Sequence, residues 1–369
     1  MVRKLLLHRR KIKHMILEQS GLIVQEVKKA FMGKDDVIAR VLTAIYAGGH
    51  VLLEDCPGVG KTTLALAFSR ALALDFKRIQ FTTDTLPSDI TGFTMYNRQT
   101  DKFEYREGAV QCNLLLADEI NRTSPKTQSA LLEAMEERSV TVDGETHPLP
   151  NPFICIATQN PVGAAGTQAL PESQLDRFMV RLSIGYPSSE DQVNILKAKK
   201  YADPLDQIRP LVTAEHISEV QNYLSALRIS DELLYYITHL CEATRTNPMV
   251  DLGISPRGVL ALTQMAKAQA VLKGRSFVVP EDVQDVFIDV CAHRLILKPQ
   301  ARVQGISERS VLEGILKEDF PIVTTALGHY GSPDNWPRHP PCVPLPPRWA
   351  CRSPAPPARQ WYSPGRRRE

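Results

Sequence analysis

Apolar residues recur at helical spacing over residues 16–30 and 35–47, with Gly33 between the two runs and Gly48-Gly49 closing the second. The period then changes. "VLLE" (51–54) is a short continuous apolar run, as expected of a strand buried on both faces. "RIQFT" (78–82), "NLLLAD" (113–118) and "FICIAT" (153–158) repeat that signature. Helical patterns separate them, at 61–73 and in the amphipathic "PKTQSALLEAMEE" (125–137). "SVTVDGETHPL" (139–149) alternates around Asp143-Gly144, a strong local signal for a hairpin. Strands alternating with helices predict a parallel α/β sheet with ligands at the carboxyl ends of its strands.

After Pro187 only helical periodicity remains, over 188–200, 213–226, 230–246, 256–273 and 281–294. The chain therefore divides into an α/β domain over 16–186 and an all-α domain over 187–325. A basic extension, 1–15, precedes them. Residues 331–369 hold eleven of the 27 prolines and all three tryptophans, and such a Pro/Arg-rich tail is expected to be disordered. Both an interaction tail and the product of a shifted reading frame have this composition.

Charge changes the picture in one respect. The net +3 is unevenly placed: seven arginines against two acids after residue 330 leave the rest of the chain about −2. That balance argues against a nucleic-acid binder, which needs a basic face. No run of about 18 apolar residues is present, so no membrane span is expected. The basic N-terminus lacks the long apolar core of a signal peptide. Seven cysteines without a C-x-x-C pair argue against a disulfide framework or zinc site. The expected location is cytoplasmic.

The chemistry begins at "VLLEDCPGVGKTT" (51–63), a glycine loop between a strand and a helix start. Pro57, Gly58, Val59, Gly60, Lys61, Thr62 and Thr63 are the candidate phosphate cradle. The glycines let backbone N–H groups turn inward, and the helix N-terminus favours an anion. Lys61 would reach the β- and γ-phosphates, and Thr62 would bind Mg²⁺. Asp55 stands where the usual loop has its first glycine. It lies at the strand exit, ahead of the binding amides, so its carboxylate can point elsewhere.

Asp118 and Glu119 end the "NLLLAD" run, 57 residues after Lys61. In that order Asp118 would hold Mg²⁺, partly through water, and Glu119 would orient or deprotonate the attacking water. Asn160, after "FICIATQ", is placed to bond the γ-phosphate or that water. Arg177 in "LDRF" is a candidate for a neighbouring subunit's γ-phosphate. Arg257 in "GISPRG" starts a helix of the second domain and would link nucleotide state to domain angle. Arg122 is a weaker candidate for either role.

Taken together, "VLLEDCPGVGKT", "FTTDTLPSDITG", "LLLADEINRTSPKTQSALLEAMEE", "VTVDGETHPLP", "IATQNP", "LPESQLDRF" and "GISPRG" resemble the MoxR family of AAA+ ATPases over roughly residues 20–325. The resemblance implies an α/β fold: an AAA+ P-loop core with a five-stranded parallel sheet, then a small all-α lid. It implies Walker A at Lys61 and Thr62, Walker B at Asp118 and Glu119, sensor 1 at Asn160, an arginine finger at Arg177 and sensor 2 at Arg257. It also implies ATP and Mg²⁺ as cofactors, a hexameric homo-oligomer, and chaperone-like remodelling of protein clients with a von Willebrand factor A domain partner. The hairpin at 139–149 is matched to the family's helix-two insert. Cys56 departs from the usual valine, and Gln111-Cys112 from an expected Phe-Ala. A nucleic-acid motor and a nucleotide-gated scaffold are the competing readings, disfavoured by the near-neutral folded part and by intact Glu119, Asn160 and Arg177.

Overall fold

The computed structural model describes residues 2–160, 168–199 and 203–318. Two helices, α1 (Val2–Lys28) and α2 (Asp35–Tyr46), lead into β1 (Val51–Glu54), the glycine loop and α3 (Lys61–Ala71). Next come β2 (Phe76–Gln80), the short α4 (Pro87–Thr91), a hairpin of β3 (Gly92–Asn97) and β4 (Lys102–Glu107), and β5 (Leu114–Asp118). The helix α5 (Pro125–Glu137), a second hairpin of β6 (Ser139–Val142) and β7 (Glu145–Pro148), β8 (Ile154–Gln159), the single-turn α6 (Glu172–Leu175) and β9 (Val180–Leu182) complete the α/β part. The remainder is helical: α7 (Ser189–Lys199), α8 (Ala214–Ser225), α9 (Asp231–Thr246), α10 (Pro256–Leu272), α11 (Pro280–Cys291), α12 (Pro299–Val303) and α13 (Glu308–Glu318). Within it β10 (Val250–Leu252) and β11 (Ile296–Leu297) pair as a small antiparallel ribbon, which helical periodicity does not reveal.

Five parallel strands form the sheet, in the order β2-β5-β8-β1-β9. Alternate residues of a strand face opposite sides, and the core obeys this. Val51, Leu53, Leu114, Leu116, Ile154 and Ile156 enter one apolar cluster, with α3 and the helices of the second part. Leu52, Leu115, Ala117, Cys155 and Ala157 enter another, under α5. Both faces are thus covered, which is why β1, β5 and β8 read as unbroken apolar runs. β2 is an edge strand and only half buried, so its run is not the buried one that its sequence suggested.

Helix starts follow from local chemistry. Ser124 caps α5 and Ser255 caps α10, each accepting a bond from a backbone N–H two or three residues inside, with proline at the first helical position. The basic segment expected as a separate extension is instead continuous with α1 from Val2. Cys112 packs fully buried against the sheet, where burial pushes its thiol up to about 12.

The hairpin around Asp143-Gly144 is present, with both turn residues at positive φ (50° and 85°), as a tight two-residue turn demands. Its place in the chain differs from the helix-two insert, however. It follows α5, the third helix after β1, whereas the hairpin that interrupts the second crossover is β3–β4. A parallel stack of Tyr105 on His147, centroids 3.8 Å apart, joins the two hairpins. Among the described residues no helix is long and apolar enough to cross a membrane. The Pro/Arg-rich tail lies outside the described residues.

Candidate active site

Two glycines shape the loop after β1. Gly58 and Gly60 sit at φ of 87° and 97°, a region that glycine enters at little cost. A side-chain carbon at Gly60 would also stand 3.1 Å from the Phe31 ring. The loop's amides then meet the start of α3, where the helix dipole favours an anion.

Asp55, the residue that breaks the usual loop pattern, faces away from that cradle. Its Oδ2 accepts bonds from Ser183 Oγ (2.9 Å) and from the backbone N–H groups of Ile184 and Gly185 (both 2.7 Å), and its Oδ1 from Cys56 N (2.9 Å). Burial pushes its carboxyl up, but the bonds from Gly185, Ser183, Cys56 and Ile184 outweigh that and hold it below the usual aspartate value. Asp55 therefore ties the loop's entry to the chain leaving β9. Asp55→Gly would restore the common loop pattern, yet it strands these donors. We expect it to lower stability by about 3 kcal/mol, read from a denaturant midpoint. Unchanged stability would remove the tie.

Lys61 is buried, and its Nζ donates to Asp55 O (2.6 Å) and lies 3.5 Å from Asn160 Oδ1. Burial lowers its pKa, while the charges of Asp118, Asp55 and Glu119 pull the other way. Thr62 and Thr63 are half-buried on the first turn of α3.

At the end of β5, Asp118 Oδ1 accepts from Thr158 Oγ1 (2.6 Å) and Oδ2 pairs with Arg78 (2.7 Å). Glu119 adopts a left-handed backbone, φ 58° and ψ 47°, and its N–H donates to the same Thr158 hydroxyl. A non-glycine residue there carries strain of about 1 kcal/mol, a feature that clusters at functional sites. The Glu119 carboxylate is held from three sides: by Asn160 Nδ2 and Gln80 Nε2 (both 2.9 Å) and by Arg122 (3.2 Å). Lys61, Asn160 and Glu119 thus form one chain of contacts, with Asp118 joined through Thr158.

Sequence reasoning missed Arg78 and Gln80. They are two apart on β2 and so share a face, Arg78 also donating to Gln80 Oε1 at 2.9 Å. Their signal was available, as polar residues alternating in a short strand. A cavity of about 400 Å³ beside Thr63, bordered by Ala30, Met32, Ile195 and Leu205, was not legible at all.

Arg177 and Arg257 stand apart from this network. Arg177 Nη1 donates to Leu132 O (2.6 Å), and Arg257 pairs with Glu136 (2.7 Å). Leu132 and Glu136 are four apart on α5, so one helix anchors both arginines a turn apart. Asp176 does not pair with its neighbour Arg177. It pairs with the buried Arg294 instead (2.7 Å).

Comparison with known proteins agrees with this geometry. The profile described as "ATPase family associated with various cellular activities (AAA)" matches residues 50–180, and that of the AAA lid domain matches residues 242–315. The chaperone MoxR1 of Mycobacterium tuberculosis is 38% identical over 301 residues, 79% of each chain. The chain belongs to the MoxR family of AAA+ ATPases. It is accordingly an ATP-hydrolysing enzyme. Within the family, the uncharacterized YeaC of Bacillus subtilis is 46% identical over 80% of this chain and 92% of its own. A crystal structure of a protein assigned as an ATPase in Cytophaga hutchinsonii superposes with a TM-score of 0.78 at 37% identity, covering 84% of this chain and 97% of that one.

Proposed function

Results

Sequence analysis

Apolar residues recur at helical spacing over residues 16–30 and 35–47, with Gly33 between the two runs and Gly48-Gly49 closing the second. The period then changes. "VLLE" (51–54) is a short continuous apolar run, as expected of a strand buried on both faces. "RIQFT" (78–82), "NLLLAD" (113–118) and "FICIAT" (153–158) repeat that signature. Helical patterns separate them, at 61–73 and in the amphipathic "PKTQSALLEAMEE" (125–137). "SVTVDGETHPL" (139–149) alternates around Asp143-Gly144, a strong local signal for a hairpin. Strands alternating with helices predict a parallel α/β sheet with ligands at the carboxyl ends of its strands.

After Pro187 only helical periodicity remains, over 188–200, 213–226, 230–246, 256–273 and 281–294. The chain therefore divides into an α/β domain over 16–186 and an all-α domain over 187–325. A basic extension, 1–15, precedes them. Residues 331–369 hold eleven of the 27 prolines and all three tryptophans, and such a Pro/Arg-rich tail is expected to be disordered. Both an interaction tail and the product of a shifted reading frame have this composition.

Charge changes the picture in one respect. The net +3 is unevenly placed: seven arginines against two acids after residue 330 leave the rest of the chain at about −2. That balance argues against a nucleic-acid binder, which needs a basic face. No run of about 18 apolar residues is present, so no membrane span is expected. The basic N-terminus lacks the long apolar core of a signal peptide. Seven cysteines without a C-x-x-C pair argue against a disulfide framework or zinc site. The expected location is cytoplasmic.

The chemistry begins at "VLLEDCPGVGKTT" (51–63), a glycine loop between a strand and a helix start. Pro57, Gly58, Val59, Gly60, Lys61, Thr62 and Thr63 are the candidate phosphate cradle. The glycines let backbone N–H groups turn inward, and the helix N-terminus favours an anion. Lys61 would reach the β- and γ-phosphates, and Thr62 would bind Mg²⁺. Asp55 stands where the usual loop has its first glycine. It lies at the strand exit, ahead of the binding amides, so its carboxylate can point elsewhere.

Asp118 and Glu119 end the "NLLLAD" run, about 57 residues after Lys61. In that order Asp118 would hold Mg²⁺, partly through water, and Glu119 would orient or deprotonate the attacking water. Asn160, after "FICIATQ", is placed to bond the γ-phosphate or that water. Arg177 in "LDRF" is a candidate for contact with a neighbouring subunit's γ-phosphate. Arg257 in "GISPRG" starts a helix of the second domain and would link nucleotide state to domain angle. Arg122 is a weaker candidate for either role.

Taken together, "VLLEDCPGVGKT", "FTTDTLPSDITG", "LLLADEINRTSPKTQSALLEAMEE", "VTVDGETHPLP", "IATQNP", "LPESQLDRF" and "GISPRG" resemble the MoxR family of AAA+ ATPases over roughly residues 20–325. The resemblance implies an α/β fold: an AAA+ P-loop core with a five-stranded parallel sheet, then a small all-α lid. It implies Walker A at Lys61 and Thr62, Walker B at Asp118 and Glu119, sensor 1 at Asn160, an arginine finger at Arg177 and sensor 2 at Arg257. It also implies ATP and Mg²⁺ as cofactors, a hexameric homo-oligomer, and chaperone-like remodelling of protein clients with a von Willebrand factor A domain partner. The hairpin at 139–149 is matched to the family's helix-two insert. Cys56 departs from the usual valine, and Gln111-Cys112 from an expected Phe-Ala. A nucleic-acid motor and a nucleotide-gated scaffold are the competing readings, disfavoured by the near-neutral folded part and by intact Glu119, Asn160 and Arg177.

Overall fold

The computed structural model describes residues 2–160, 168–199 and 203–318. Two helices, α1 (Val2–Lys28) and α2 (Asp35–Tyr46), lead into β1 (Val51–Glu54), the glycine loop and α3 (Lys61–Ala71). Next come β2 (Phe76–Gln80), the short α4 (Pro87–Thr91), a hairpin of β3 (Gly92–Asn97) and β4 (Lys102–Glu107), and β5 (Leu114–Asp118). The helix α5 (Pro125–Glu137), a second hairpin of β6 (Ser139–Val142) and β7 (Glu145–Pro148), β8 (Ile154–Gln159), the single-turn α6 (Glu172–Leu175) and β9 (Val180–Leu182) complete the α/β part. The remainder is mainly helical: α7 (Ser189–Lys199), α8 (Ala214–Ser225), α9 (Asp231–Thr246), α10 (Pro256–Leu272), α11 (Pro280–Cys291), α12 (Pro299–Val303) and α13 (Glu308–Glu318). Within it β10 (Val250–Leu252) and β11 (Ile296–Leu297) pair as a small antiparallel ribbon, which helical periodicity does not reveal.

Five parallel strands form the main sheet, in the order β2-β5-β8-β1-β9. Alternate residues of a strand face opposite sides, and the core obeys this. Val51, Leu53, Leu114, Leu116, Ile154 and Ile156 enter one apolar cluster, shared with α3 and the helices of the second part. Leu52, Leu115, Ala117, Cys155 and Ala157 enter another, with Leu131, Leu132 and Met135 of α5. Both faces are thus covered, which is why β1, β5 and β8 read as unbroken apolar runs. β2 is an edge strand and only partly buried, unlike the buried strand its sequence suggested.

Helix starts follow from local chemistry. Ser124 caps α5 and Ser255 caps α10, accepting bonds from Thr127 N and Gly258 N, with proline at the first helical position of each. The basic segment expected as a separate extension is instead continuous with α1 from Val2. Cys112 packs fully buried against the sheet, where burial pushes its thiol up to about 12.

The hairpin around Asp143-Gly144 is present, with both turn residues at positive φ (50° and 85°), as a tight two-residue turn demands. Its place in the chain differs from that of a helix-two insert, however. It follows α5, the third helix after β1, whereas the hairpin in the second crossover is β3–β4, directly after α4. A parallel stack of Tyr105 on His147, centroids 3.8 Å apart, joins the two hairpins. Among the described residues no helix is long and apolar enough to cross a membrane. The Pro/Arg-rich tail lies outside the described residues.

Candidate active site

Two glycines shape the loop after β1. Gly58 and Gly60 sit at φ of 87° and 97°, a region that glycine enters at little cost. A side-chain carbon at Gly60 would also stand 3.1 Å from the Phe31 ring. The loop then meets the start of α3, where the helix dipole favours an anion.

Asp55, the residue that breaks the usual loop pattern, is turned toward the far end of β9. Its Oδ2 accepts bonds from Ser183 Oγ (2.9 Å) and from the backbone N–H groups of Ile184 and Gly185 (both 2.7 Å), and its Oδ1 from Cys56 N (2.9 Å). Burial pushes its carboxyl up, but the bonds from Gly185, Ser183, Cys56 and Ile184 outweigh that and hold it below the usual aspartate value. Asp55 therefore ties the loop's entry to the chain leaving β9. Asp55→Gly would restore the common loop pattern, yet it strands these donors. We expect it to lower stability by about 3 kcal/mol, read from a denaturant midpoint. Unchanged stability would remove the tie.

Lys61 is buried, and its Nζ donates to Asp55 O (2.6 Å) and lies 3.5 Å from Asn160 Oδ1. Burial lowers its pKa, while the charges of Asp118, Asp55 and Glu119 pull the other way. Thr62 and Thr63 are half-buried on the first turn of α3.

At the end of β5, Asp118 Oδ1 accepts from Thr158 Oγ1 (2.6 Å) and Oδ2 pairs with Arg78 (2.7 Å). Glu119 adopts a left-handed backbone, φ 58° and ψ 47°, and its N–H donates to the same Thr158 hydroxyl. A non-glycine residue there carries strain of about 1 kcal/mol, a feature that clusters at functional sites. The Glu119 carboxylate is held from three sides: by Asn160 Nδ2 and Gln80 Nε2 (both 2.9 Å) and by Arg122 (3.2 Å). Lys61, Asn160 and Glu119 thus form one chain of contacts, with Asp118 joined through Thr158.

Sequence reasoning missed Arg78 and Gln80. They are two apart on β2 and so share a face, Arg78 also donating to Gln80 Oε1 at 2.9 Å. The available signal was their alternation with Ile79 in a short strand. A cavity of about 400 Å³ beside Thr63, bordered by Ala30, Met32, Ile195 and Leu205, joins four separate stretches of chain and left no such signal.

Arg177 and Arg257 stand apart from this network. Arg177 Nη1 donates to Leu132 O (2.6 Å), and Arg257 pairs with Glu136 (2.7 Å). Leu132 and Glu136 are four apart on α5, so one helix anchors both arginines a turn apart. Asp176 pairs with the buried Arg294 (2.7 Å) rather than with its neighbour Arg177.

Comparison with known proteins agrees with this geometry. The profile described as "ATPase family associated with various cellular activities (AAA)" matches residues 50–180, and that of the AAA lid domain matches residues 242–315. The chaperone MoxR1 of Mycobacterium tuberculosis is 38% identical over 301 residues, 79% of each chain. The chain belongs to the MoxR family of AAA+ ATPases. It is accordingly an ATP-hydrolysing enzyme. This MoxR-family chain is also 46% identical to the uncharacterized YeaC of Bacillus subtilis, over 80% of its own length and 92% of that protein's. A crystal structure of a protein assigned as an ATPase in Cytophaga hutchinsonii superposes with a TM-score of 0.78 at 37% identity, covering 84% of this chain and 97% of that one.

Proposed function

We propose that this MoxR-family enzyme hydrolyses Mg²⁺-bound ATP at sites shared between neighbouring subunits of a ring, hexameric by its resemblance to the family, and uses the cycle to remodel protein complexes. The observation that carries this reading is the division of the candidate residues: Lys61, Asn160 and Glu119 are bonded into one cluster, while Arg177 is held elsewhere on α5.

In this reading the loop amides and Lys61 hold the phosphates, exchanging the bond from Lys61 to Asp55 O for one to the nucleotide. Thr62 and Asp118 offer hard oxygen donors and would hold Mg²⁺, which would neutralise phosphate charge. Among the described residues no group of three or more His, Cys, Asp or Glu forms a metal cage, and a cation brought by its nucleotide needs none. Glu119, oriented by Asn160 and Gln80, takes the proton of the attacking water. The cavity beside Thr63 would receive the base. Arg177 completes the site of the next subunit, and Arg257 reports nucleotide state to the lid.

The remodelling role rests on the relative named as a chaperone and on the family resemblance, and a von Willebrand factor A domain partner rests on the resemblance alone. The exposed side chains of Tyr96 and Phe103, paired edge to face on the first hairpin, would offer an apolar contact for a protein client. The test is the ATP hydrolysis rate per subunit against protein concentration. A rate that climbs and then saturates is expected, because assembly completes each site. A flat rate from a sample that sizing shows to be monomeric throughout would overturn shared sites.

A further inference from the structure

We infer that Arg294 is a positioning residue for Arg177, reaching from the lid to set the direction in which that arginine leaves the chain. The inference rests on the reading of Arg177 as a group that acts on the neighbouring subunit's nucleotide.

Arg294 ends a single 3₁₀ turn after α11, and its side chain is only 2% exposed. Its Nε donates to Asp176 Oδ1 (2.7 Å), and Nη2 to the carbonyls of Asp176 (3.1 Å) and Phe178 (2.6 Å). Nη1 donates to Met179 O (3.2 Å) and to Val290 O near the end of α11. The acceptors at 176, 178 and 179 bracket residue 177 on both sides. A planar guanidinium gripping the flanking carbonyls fixes the backbone there, and with it the Cα–Cβ direction of Arg177. A lysine is a single point donor and cannot serve this fork.

The grip also reaches the other arginine. Asp176 Oδ2 accepts from Ser255 Oγ (2.8 Å), and Ser255 caps the helix whose second residue is Arg257. Gly258 adds to the fit, since a side-chain carbon there would stand 2.9 Å from Arg294 Cδ. One carboxylate therefore joins the Arg177 segment to the start of α10. Movement of the lid at one nucleotide would pass through Asp176 and Arg294 to the arginine presented to the next.

The test is Arg294→Lys in the full chain, with folding checked by thermal unfolding. A misplacement of about 1 Å costs on the order of 10²-fold in rate. We expect kcat to fall by about that factor, with ATP affinity within about two-fold of the parent. Mixing this variant with Lys61→Ala should restore hydrolysis, because the first subunit keeps its own nucleotide site and the second keeps a well-placed Arg177. A residue needed only for folding would not be rescued in this way. Arg177→Ala mixed with Lys61→Ala is the control. Recovery in both mixtures supports the inference. Recovery in the control alone, or an unchanged kcat in Arg294→Lys, overturns the role of Arg294 while sparing that of Arg177. Recovery in neither removes the shared-site reading and the inference with it. Should Arg294→Lys not fold, Asp176→Asn, of the same size but without the charge, carries the same test.

Discussion

Glu119→Gln is expected to bind ATP with affinity within about two-fold of the parent and to turn it over about 10²–10⁴-fold more slowly. The substitution keeps the shape of the side chain. It also leaves Lys61, Thr62 and the glycine loop untouched, so the groups that hold phosphate remain. What would be lost is the carboxylate proposed to receive the proton of water. The surrounding bonds adapt at small cost: the amide oxygen still accepts from Asn160 Nδ2, and its NH₂ can donate to a rotated Gln80 side chain. The ion pair with Arg122, partly exposed, is worth less than about 1 kcal/mol. Equilibrium binding of a fluorescent ATP analogue and the rate of phosphate release check the two halves separately. Undiminished release would remove Glu119 from the role of base.

Arg177→Ala should lower hydrolysis by about 10³–10⁵-fold, judging from the weight of such arginines in GTPases. The same change removes the bond to Leu132 O, so a small loss of stability, about 1 kcal/mol, accompanies it. On the proposed reading the defect would belong to the neighbour's site and not to the altered subunit's own. Mixing Arg177→Ala with Lys61→Ala should therefore restore a measurable fraction of activity, since some interfaces pair an intact Lys61 with an intact Arg177. Full activity of Arg177→Ala alone would show that its tether on α5 is its whole role.

Much of this site was legible before any fold was known. Gly58, Gly60 and Lys61 follow one another, and Asp118-Glu119 ends an apolar run, so their chemistry is written in adjacent residues. Asn160 was found in the same way. The clamp on Asp55 is different in kind: only its direction away from the phosphates could be argued, because its partners at 183–185 lie about 130 residues on. Arg78 and Gln80 come from β2, some 40 residues ahead of the acids they bond. The three-residue β9 was too short to stand out by pattern, and the β3–β4 hairpin mixes polar and apolar residues on both faces.

The sequence by itself determined the covered parallel sheet, the anion-binding loop and the acid pair, because periodicity and local backbone preference act over a few residues. Tertiary structure alone decided which side chains hold those groups in place. Parallel pairing of β2, β5 and β8 aligns their carboxyl ends, and that alignment brings Arg78, Gln80, Thr158 and Asn160 onto Asp118 and Glu119. The packing of the lid against β9 likewise brings Arg294 to the carbonyls around Arg177. Such contacts, like those of Asp55, join positions as much as 130 residues apart, and only the closing of a common core makes them neighbours.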